Sequence, residues 1–311
     1  MTKQENPVKN RVYNEFVMES GRWDNFQPRP DDIIIATPAK CGTTWTQMIC
    51  ALLIFQKTEF EKPLTECSPW VDVLTTSTEK VLNQLEQQTH RRFIKTHTPL
   101  DGLSYNPQTK YICVGRDPRD AFLSLKNHVE NMRPEALETL QKHATGEWRP
   151  PQPPLQDQCE WFRRWMGSSF SEAPGHEFHT DVLYYVNSFW QYRDLPNILM
   201  LHYSDLKADL EGEMKRIAGF LQIEVADTLW PELVAAATFE NMKGKADKLA
   251  PQVGDGIWKD PKQFFNKGES GQWRDILGAE ELALYNQVMS EKIEPALATW
   301  LEKGRLASST S

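Results

Sequence analysis

A short run of β-branched residues, Ile33–Ala36, constrains the fold of this chain more than any other feature. The run follows Asp31 and Asp32 and stops before Pro38, so it is bounded by residues that break regular structure. Such a run predicts a short buried strand of a parallel sheet. Apolar residues recur at helical spacing over residues 44–56. The pattern therefore predicts a strand, a tight loop and a helix.

Three further strands are predicted to alternate with helices along the chain, at residues 92–95, 111–114 and 198–203. Asp117 is a typical N-cap, and Pro118 suits the first helical position, so a helix is expected directly after the third strand. Another helix is expected to begin near Asp205. Alternating strands and helices predict an α/β fold with a central parallel sheet covered by helices on both faces.

The chain has 311 residues, which suits one large α/β domain. We find no linker, and we expect a single domain over residues 1–305 followed by a flexible tail over 306–311. Residues 146–158 hold four prolines, which are incompatible with a helix or a central strand. This segment is predicted to be a surface loop and is a candidate lid.

Composition favours a cytoplasmic protein. The N-terminus is polar, and the longest apolar run, residues 48–55, is far short of the roughly 20 residues needed to span a bilayer, so no transmembrane segment is expected. The five cysteines are widely spaced without a C-x-x-C pair, which disfavours a disulfide framework and a zinc site. The net charge of −8 disfavours nucleic-acid binding, although a few basic groups in a cleft can still hold a small anion.

The loop between the first strand and its helix has the chemistry of a phosphate or sulfate site. Its sequence, residues 37–45, is T-P-A-K-C-G-T-T-W. A helix start presents free N–H groups and the positive end of a dipole. Gly42 allows close approach of an oxyanion, Lys40 supplies a cation, and Thr43 and Thr44 supply hydroxyl donors. An ordinary strand-to-helix turn with a chance lysine is the alternative.

The loop differs from a Walker A loop because Lys40 precedes Gly42 instead of following the last glycine. It resembles the T-Y-P-K-S-G-T-T-W loop that binds the 5′-phosphosulfate in sulfotransferases dependent on 3′-phosphoadenosine 5′-phosphosulfate (PAPS). The match retains Lys40, Gly42, Thr43, Thr44 and Trp45, while Cys41 replaces the serine. The resemblance implies that these residues, including the Cys41 backbone N–H, bind PAPS. We also expect the helix start to lower the pKa of the Cys41 thiol.

Residues 111–124 resemble the 3′-phosphate motif of the same family, in which a serine follows an arginine by eight residues. Arg116 and Ser124 have this spacing here. A guanidinium fork with a nearby hydroxyl suits a phosphate monoester. The alternative is a surface ion pair of Arg116 with Asp117 or Asp120.

Weaker matches lie towards the C-terminus. Residues 264–273 resemble the R-K-G-x-x-G-D-W loop of the family, with Asn266 in place of the arginine, which implies nucleotide contacts from Phe265, Asn266, Lys267 and Gly268. Two short segments resemble those that border the adenine, which implies a role beside Trp45 for Tyr203, Thr238 and Phe239. For each aromatic residue, ordinary core packing is the alternative.

The motifs follow the family order over residues 31–273, and the resemblance is strongest to mycobacterial-type glycolipid sulfotransferases, over residues 91–103, 111–120 and 255–258. The resemblance implies a P-loop-like fold and transfer of a sulfuryl group from PAPS to a hydroxyl. The acceptor is expected beside segments 60–80 and 128–190, whose many aromatic residues suit an apolar, phenolic or glycolipid alcohol.

His97 follows the second strand and could accept a proton near pH 7 as a neutral imidazole, and the family resemblance makes it the predicted catalytic base. The K-T-H segment of the family places its catalytic histidine at this position. The resemblance assigns leaving-group stabilisation to Lys40, with help from Lys95. No metal is expected to take part. Other histidines are predicted to be structural or on loops, namely His128, His143, His176 and His179.

Two other functions stay open on sequence alone. A P-loop-like ATP-dependent small-molecule kinase shares the strand–loop–helix arrangement, although the lysine position argues against it. A nucleotide-binding scaffold without catalysis is the second, because Cys41 and Asn266 depart from the family pattern. The oligomeric state is also open, since residues 274–279 lack the Thr-Val of a dimer motif found in many family members.

Overall fold

A four-stranded parallel sheet forms the centre of the computed structural model, which describes residues 5–15, 17–136, 138, 157–170, 181–250, 256–265 and 268–308. The spatial order of the strands is β2-β1-β3-β4, and every pair is parallel. The strands are β1 (Ile33–Ala36), β2 (Phe93–Thr96), β3 (Lys110–Gly115) and β4 (Ile198–His202). The predicted strands are thus confirmed, with ends that differ by one residue.

Helices connect the strands and continue beyond them. Those that the structure defines are α1 (Thr43–Phe55), α2 (Leu64–Cys67), α3 (Thr78–Glu86), α4 (Pro118–Glu130), α5 (Gln158–Gly167), α6 (Val182–Trp190), α7 (Tyr203–Ala208), α8 (Leu210–Leu221), α9 (Trp230–Ala237), α10 (Phe239–Gly244), α11 (Ala246–Leu249), α12 (Ala279–Lys292) and α13 (Pro295–Ser308). Short 3-10 turns lie at Ser20–Asn25, Leu100–Gly102, Asp227–Leu229, Pro261–Phe264 and Gln272–Asp275.

Two helix starts bear on the site. Asp117 caps α4 as predicted, with its carboxylate accepting from the N–H of Arg119 at 2.9 Å. The helix expected near Asp205 begins earlier, at Tyr203, because His202 Nδ1 accepts from the N–H of Ser204 at 3.2 Å and ends β4. Tyr203 therefore leaves the sheet as the first residue of α7.

The alternation of side chains along β1 divides the core into two layers. Ile33 and Ile35 pack with apolar residues of α1, α7, α8 and α9, whereas Ile34 and Ala36 pack with those of α4, α5, α6, α12 and α13. All four side chains are buried, as expected for a strand covered on both sides. The predicted α/β fold with helices on both faces is confirmed.

The register brings the carboxyl ends of the strands to one edge of the sheet. Ala36 pairs with Thr96 of β2 and with Cys113 of β3, and Gly115 pairs with His202 of β4. The residues that follow these ends include each main candidate for chemistry. They are the loop 37–42, His97, Arg116 and Tyr203. Ligand sites of open parallel sheets form at this edge.

The C-terminal helix α13 is interrupted at Gly304, whose φ of 78° and ψ of −177° are not helical, and it resumes to reach Ser308. The flexible tail expected over residues 306–311 stays a prediction. The Asp205 carboxylate accepts from the N–H groups of Arg305 and Leu306 at 2.8 and 3.0 Å, which fixes the last turn. Residues 309–311 lie outside the described part of the chain, as do residues 146–156 of the proline-rich segment. No helix of the described residues is both long and apolar enough to cross a membrane.

Candidate active site

A cavity of about 370 Å³ opens at the carboxyl edge of the sheet. Twelve of the residues predicted for the site line it, although they come from six separate parts of the sequence. They are Lys40, Gly42, Thr43, Thr44, Trp45, Lys95, His97, Arg116, Ser124, Tyr203, Phe239 and Phe265. The fold therefore gathers the phosphate loop, the predicted base and the predicted adenine wall around one space.

The phosphate loop turns sharply before α1. Lys40 and Gly42 both have positive φ angles, 65° and 106°, and Gly42 is the N-cap of the helix. A side chain at Gly42 would begin 3.4 Å from the Tyr203 ring as well as strain the backbone. The first bond of the helix runs from the Thr46 N–H to the Gly42 carbonyl at 2.9 Å. The N–H groups before Thr46 thus have no partner within the helix and can bind an anion.

Lys40 brings its ammonium into the cavity. Its Nζ lies 3.1 Å from His128 Nδ1 and 4.7 Å from the centre of the Phe264 ring. Burial, together with the positive charges of Arg116 and Lys95, lowers the pKa of Lys40 to about 7. An anion in the cavity would favour the charged lysine and raise this pKa again.

His97 is held in one tautomer by the phosphate loop. Its Nδ1 lies 2.6 Å from the carbonyl oxygen of Thr37, which can only accept, so Nδ1 carries the proton and Nε2 keeps its lone pair. Burial and the positive charge of Lys95 lower the pKa of His97 to about 3, although the bond to Thr37 raises it. The imidazole is therefore neutral near pH 7, as a base must be.

Lys95 and His97 share one aromatic partner. Lys95 Nζ lies 3.8 Å above the Trp70 ring, and the His97 ring meets the same indole edge-on at 5.0 Å between centroids. Burial lowers the pKa of Lys95 to about 8, and the carboxylate of Asp72 opposes this shift. Trp70 belongs to segment 60–80, whose aromatic residues were expected to border the acceptor. Its contacts with Lys95 and His97 were not predicted, because they depend on a segment that returns to β2 from between two helices. 

Arg116 pairs with neither of the two aspartates proposed as its alternative partners. Its Nη1 donates to the Lys40 carbonyl at 3.0 Å and its Nη2 to the Glu269 carbonyl at 3.3 Å, while the guanidinium lies 4.2 Å above the Tyr203 ring. Asp117 instead binds Arg119 at 2.8 Å, and Asp120 accepts from the Gly271 N–H. In the described part of the chain, the buried Nε of Arg116 has no hydrogen-bond partner.

Aromatic rings form the far wall of the cavity. Trp45 is fixed by its Nε1, which donates to the Ala237 carbonyl at 2.8 Å, and its ring meets Tyr203 edge-on at 5.3 Å. Phe239 meets Phe265 at 6.3 Å. The C-terminal loop approaches this wall closely, because a side chain at Gly268 would begin 2.7 Å from the Phe239 ring.

The structure places some predicted residues away from the cavity. Cys41 is buried in the core, and burial raises the pKa of its thiol to about 12, so the expected lowering of this pKa was wrong. Desolvation outweighs the helix dipole there. The hydroxyl of Thr238 caps α10 and does not line the cavity. Other candidates lie outside the described residues, namely Asn266, Lys267, His143, His176 and His179.

His128 was predicted to be structural or on a loop, but it lies in α4 and lines the cavity. It contacts Lys40 and packs against Trp258 at 4.7 Å between ring centroids. Burial lowers the pKa of His128 well below its usual value. One sequence signal could have found it: His128 follows Ser124 by four residues in α4, which places both on the same face of the helix.

The described residues contain no cluster of three or more His, Cys, Asp or Glu side chains that could hold a metal ion. The cavity is lined by three cationic side chains, Lys40, Lys95 and Arg116, and by the imidazoles of His97 and His128. This set of groups suits an anionic ligand next to a group that loses a proton.

Comparison with known proteins identifies the family. The family model described as the sulfotransferase domain matches residues 30–295. The chain belongs to the sulfotransferase family. This membership decides in favour of a sulfotransferase over the kinase that the sequence left open. The chain is 36% identical to proteins named glycolipid sulfotransferase from Mycobacterium bovis and Mycobacterium tuberculosis, over 97% of this chain and 97% of each relative.

More distant relatives of this sulfotransferase include vertebrate enzymes. It is 26% identical to sulfotransferase 1E1 of Cavia porcellus, over 85% of this chain and 83% of that protein. Solved structures share its fold. Mouse sulfotransferase SULT7A1 complexed with PAP matches with a TM-score of 0.68 at 19% identity, covering 90% of this chain and 91% of that one. Retinol dehydratase in complex with androsterone and PAP matches with a TM-score of 0.61 at 21% identity, covering 89% of this chain and 87% of that one.

Proposed function

We propose that this sulfotransferase moves a sulfuryl group from PAPS to a hydroxyl of an apolar, phenolic or glycolipid acceptor, with His97 as the base. One observation carries the proposal: Lys40 and the neutral His97 line the same cavity. The Thr37 carbonyl, at the start of the phosphate loop, also holds the Nδ1 proton of His97. The phosphate loop thus supplies a cation for the departing phosphate and also orients the imidazole whose lone pair would take the acceptor proton.

The groups around the cavity fit a nucleotide with phosphates at both ends. The first turn of α1 and Lys40 would hold the 5′-phosphosulfate. Arg116, with its unpartnered Nε, and Ser124 would hold the 3′-phosphate. The rings of Trp45 and Phe239 offer faces for the adenine. Two of the structural neighbours are complexes with PAP, adenosine 3′,5′-bisphosphate.

In the proposed step, the acceptor oxygen forms a bond to sulfur while the bond from sulfur to the 5′-phosphate oxygen breaks. The acceptor proton goes to His97 Nε2, the nitrogen that the Thr37 contact leaves free. Lys40 and Lys95 stabilise the negative charge that develops on the departing phosphate. The leaving group is adenosine 3′,5′-bisphosphate.

The lining of the cavity supports an acceptor with both apolar and polar portions. Val17, Val81 and Ile257 line it together with hydroxyl and amide side chains. These hydroxyl and amide side chains are those of Thr65, Thr75, Thr76 and Gln84. The relatives named glycolipid sulfotransferase, which share 36% of their residues with this chain, favour an acceptor that joins a lipid to a sugar.

We further propose that residues 1–305 act as one domain in a cytoplasmic protein. Both core layers share the central sheet, so neither layer is a separate unit. All five cysteines are unpaired and four of them are buried, which suits a reducing compartment.

The function is tested by incubating the protein with PAPS labelled in the sulfuryl group and a panel of phenols, sterols and glycolipids. The expected result is a labelled organic sulfate that forms without added magnesium and with equimolar adenosine 3′,5′-bisphosphate. Reactions without acceptor and with the His97→Ala variant are the controls. Failure to label any hydroxyl, together with binding of adenosine bisphosphate, would indicate a scaffold without catalysis.

A further inference from the structure

Asp72 is a fully buried carboxylate that does not line the cavity but lies against the strand end that carries His97. Its Oδ2 accepts three hydrogen bonds: from Trp23 Nε1 at 3.1 Å, from Thr96 Oγ1 at 2.6 Å and from Thr98 Oγ1. Its Oδ1 has no partner among the described residues. A buried carboxylate is unfavourable unless it is hydrogen-bonded, so this arrangement needs a reason.

Two of the three donors flank His97 in the sequence. Side chains alternate in an extended chain, so Thr96 and Thr98 point away from the side that His97 takes. The N–H of Thr98 donates to Thr96 Oγ1 at 2.9 Å, and the sheet bond from the Thr37 N–H to the Thr96 carbonyl is long, at 3.3 Å. Beyond β2, the backbone that carries His97 is therefore held by hydroxyl groups that bind Asp72.

The same segment also contacts the opposite side of the strand end. Trp70, two residues before Asp72, meets the His97 ring and lies under the Lys95 ammonium. The Lys95 N–H donates to the carbonyl of Pro69 at 2.9 Å. Residues 69–72 thus contact the end of β2 on both sides. Trp70 packs on the side that carries His97, and Asp72 binds the threonines on the opposite side.

We propose that Asp72 is a positioning residue that acts through Thr96 and Thr98 to keep His97 Nε2 directed at the acceptor hydroxyl. The proposal rests on the proposed function, in which His97 is the base. A displacement of about 1 Å can lower the rate of a positioned reaction by about 100-fold, so such support matters for turnover. Burial raises the pKa of Asp72, while its bonds from Thr96, Thr98 and Trp23 favour the charged form.

The test removes the two hydroxyl groups and keeps the shape of the side chains, in the double variant T96V/T98V. We expect kcat at saturating PAPS to fall about 10-fold to 100-fold while the Kd of adenosine 3′,5′-bisphosphate changes less than about twofold. The double variant T96S/T98S, which restores the hydroxyls, should recover most of kcat. Trp23→Phe is the matched control, because it removes the third donor to the same oxygen without touching the strand end. It should lower Tm but leave kcat within about twofold.

A nitrogen-15 NMR spectrum of the imidazole provides a readout that is independent of turnover. Wild-type His97 should show a protonated Nδ1 and an unprotonated Nε2, and the T96V/T98V variant should show a mixture of tautomers. Unchanged kcat and an unchanged tautomer in that variant would overturn the role of Asp72. If T96V/T98V does not fold, Thr98→Val alone is measured in the same way and must show the same directions. Absence of sulfuryl transfer by the wild type would contradict the proposed function instead, and the tautomer comparison would still test the positioning.

Discussion

At the scale of single residues, the tautomer of His97 determines which nitrogen can take a proton. The Thr37 carbonyl fixes Nδ1–H, and the surrounding burial and lysines keep the ring neutral. At Cys41, burial raises the pKa of the thiol. The thiol therefore stays protonated and unreactive near pH 7. Burial thus keeps the proposed base His97 unprotonated, and it keeps the Cys41 thiol from becoming a nucleophile.

Replacement of His97 by Ala should remove the base without removing the nucleotide site. General base catalysis typically contributes about 10²-fold to 10⁴-fold, so kcat should fall by at least about 100-fold. The Kd of adenosine 3′,5′-bisphosphate, measured by calorimetry, should stay within about twofold. His90→Ala is the matched control, because His90 packs against Phe55 and does not line the cavity. Retention of most activity in His97→Ala would refute the assignment of the base.

Nucleotide binding should depend on pH through Lys40. Its pKa is about 7 in the empty cavity, so the lysine is mostly neutral at pH 8 and mostly charged at pH 6. A bound anion raises this pKa, so binding takes up a proton at pH 8, and affinity falls by up to about tenfold per pH unit above 7. Calorimetry at pH 8 in buffers of different ionisation enthalpy measures the uptake.

The Lys40→Met variant separates proton uptake by Lys40 from proton uptake by Lys95. The pKa of Lys95 is about 8, so Lys95 adds its own proton uptake at higher pH. We expect the variant to lose most of the uptake at pH 7 to 8 and to show a flatter pH dependence of Kd. Equal proton uptake by the variant and the wild type would show that Lys40 is not the titrating group.

At the scale of elements, α4 links the phosphate loop to the C-terminal loop. Arg116, just before the helix, donates to the carbonyls of Lys40 and Glu269, while Asp120 in its first turn accepts from the Gly271 N–H at 2.9 and 2.8 Å. Arg119 lies 3.8 Å above the Trp273 ring. The start of one helix therefore orders the loop that approaches Phe239 across the cavity.

Loss of the Asp120 carboxylate should weaken nucleotide binding and leave the chemical step largely unchanged. A hydrogen bond to a charged group contributes about 1.5–3 kcal/mol, so we expect Asp120→Ala to raise the Kd of adenosine 3′,5′-bisphosphate by about tenfold or more. At saturating PAPS, kcat should change less than about twofold. Asp120→Asn retains an acceptor oxygen and should keep most of the affinity. A wild-type Kd in Asp120→Ala would show that the loop is ordered without this contact.

At the scale of the whole molecule, stability at the amino edge of the sheet depends on a buried ion pair. Arg92 Nε donates to Asp32 Oδ1 at 2.7 Å, and the two side chains are only 3% and 2% exposed. This pair lies at the opposite edge from the cavity, since Asp32 precedes β1 and Arg92 precedes β2. This polar contact, which supports folding, is thus separate from the polar groups that line the cavity.

Asp32→Ala should destabilise the protein strongly, because it leaves a buried guanidinium without its carboxylate. Breaking such a pair typically costs about 3–5 kcal/mol in the free energy of unfolding. Denaturant titration followed by tryptophan fluorescence measures the change. Asp24→Ala, which removes a mostly exposed partner of Lys9, is the control and should change stability by less than about 1 kcal/mol. A loss below about 1 kcal/mol for Asp32→Ala would contradict this prediction.

The strands, the phosphate loop and the position of His97 were predictable because their signals are local. A β-branched run, a capping aspartate and a loop motif need no knowledge of distant residues. The contact of His128 with Lys40 joins residues 88 positions apart and depends on how α4 crosses the sheet. Asp72 reaches Thr96 and Thr98 from 24 and 26 positions away, across α3. Contacts of this kind depend on how helices and strands pack against one another, so they could not be predicted from local sequence patterns.

The shared use of Thr37 has a consequence for how the loop of this protein can vary. Thr37 opens the turn that leads to Gly42, and its carbonyl also fixes the imidazole of the neighbouring strand. An insertion that lengthened the turn would shift that oxygen and release the ring even if every anion-binding group survived. If His97 is the base, the length of this loop is limited by the acceptor reaction as well as by anion binding.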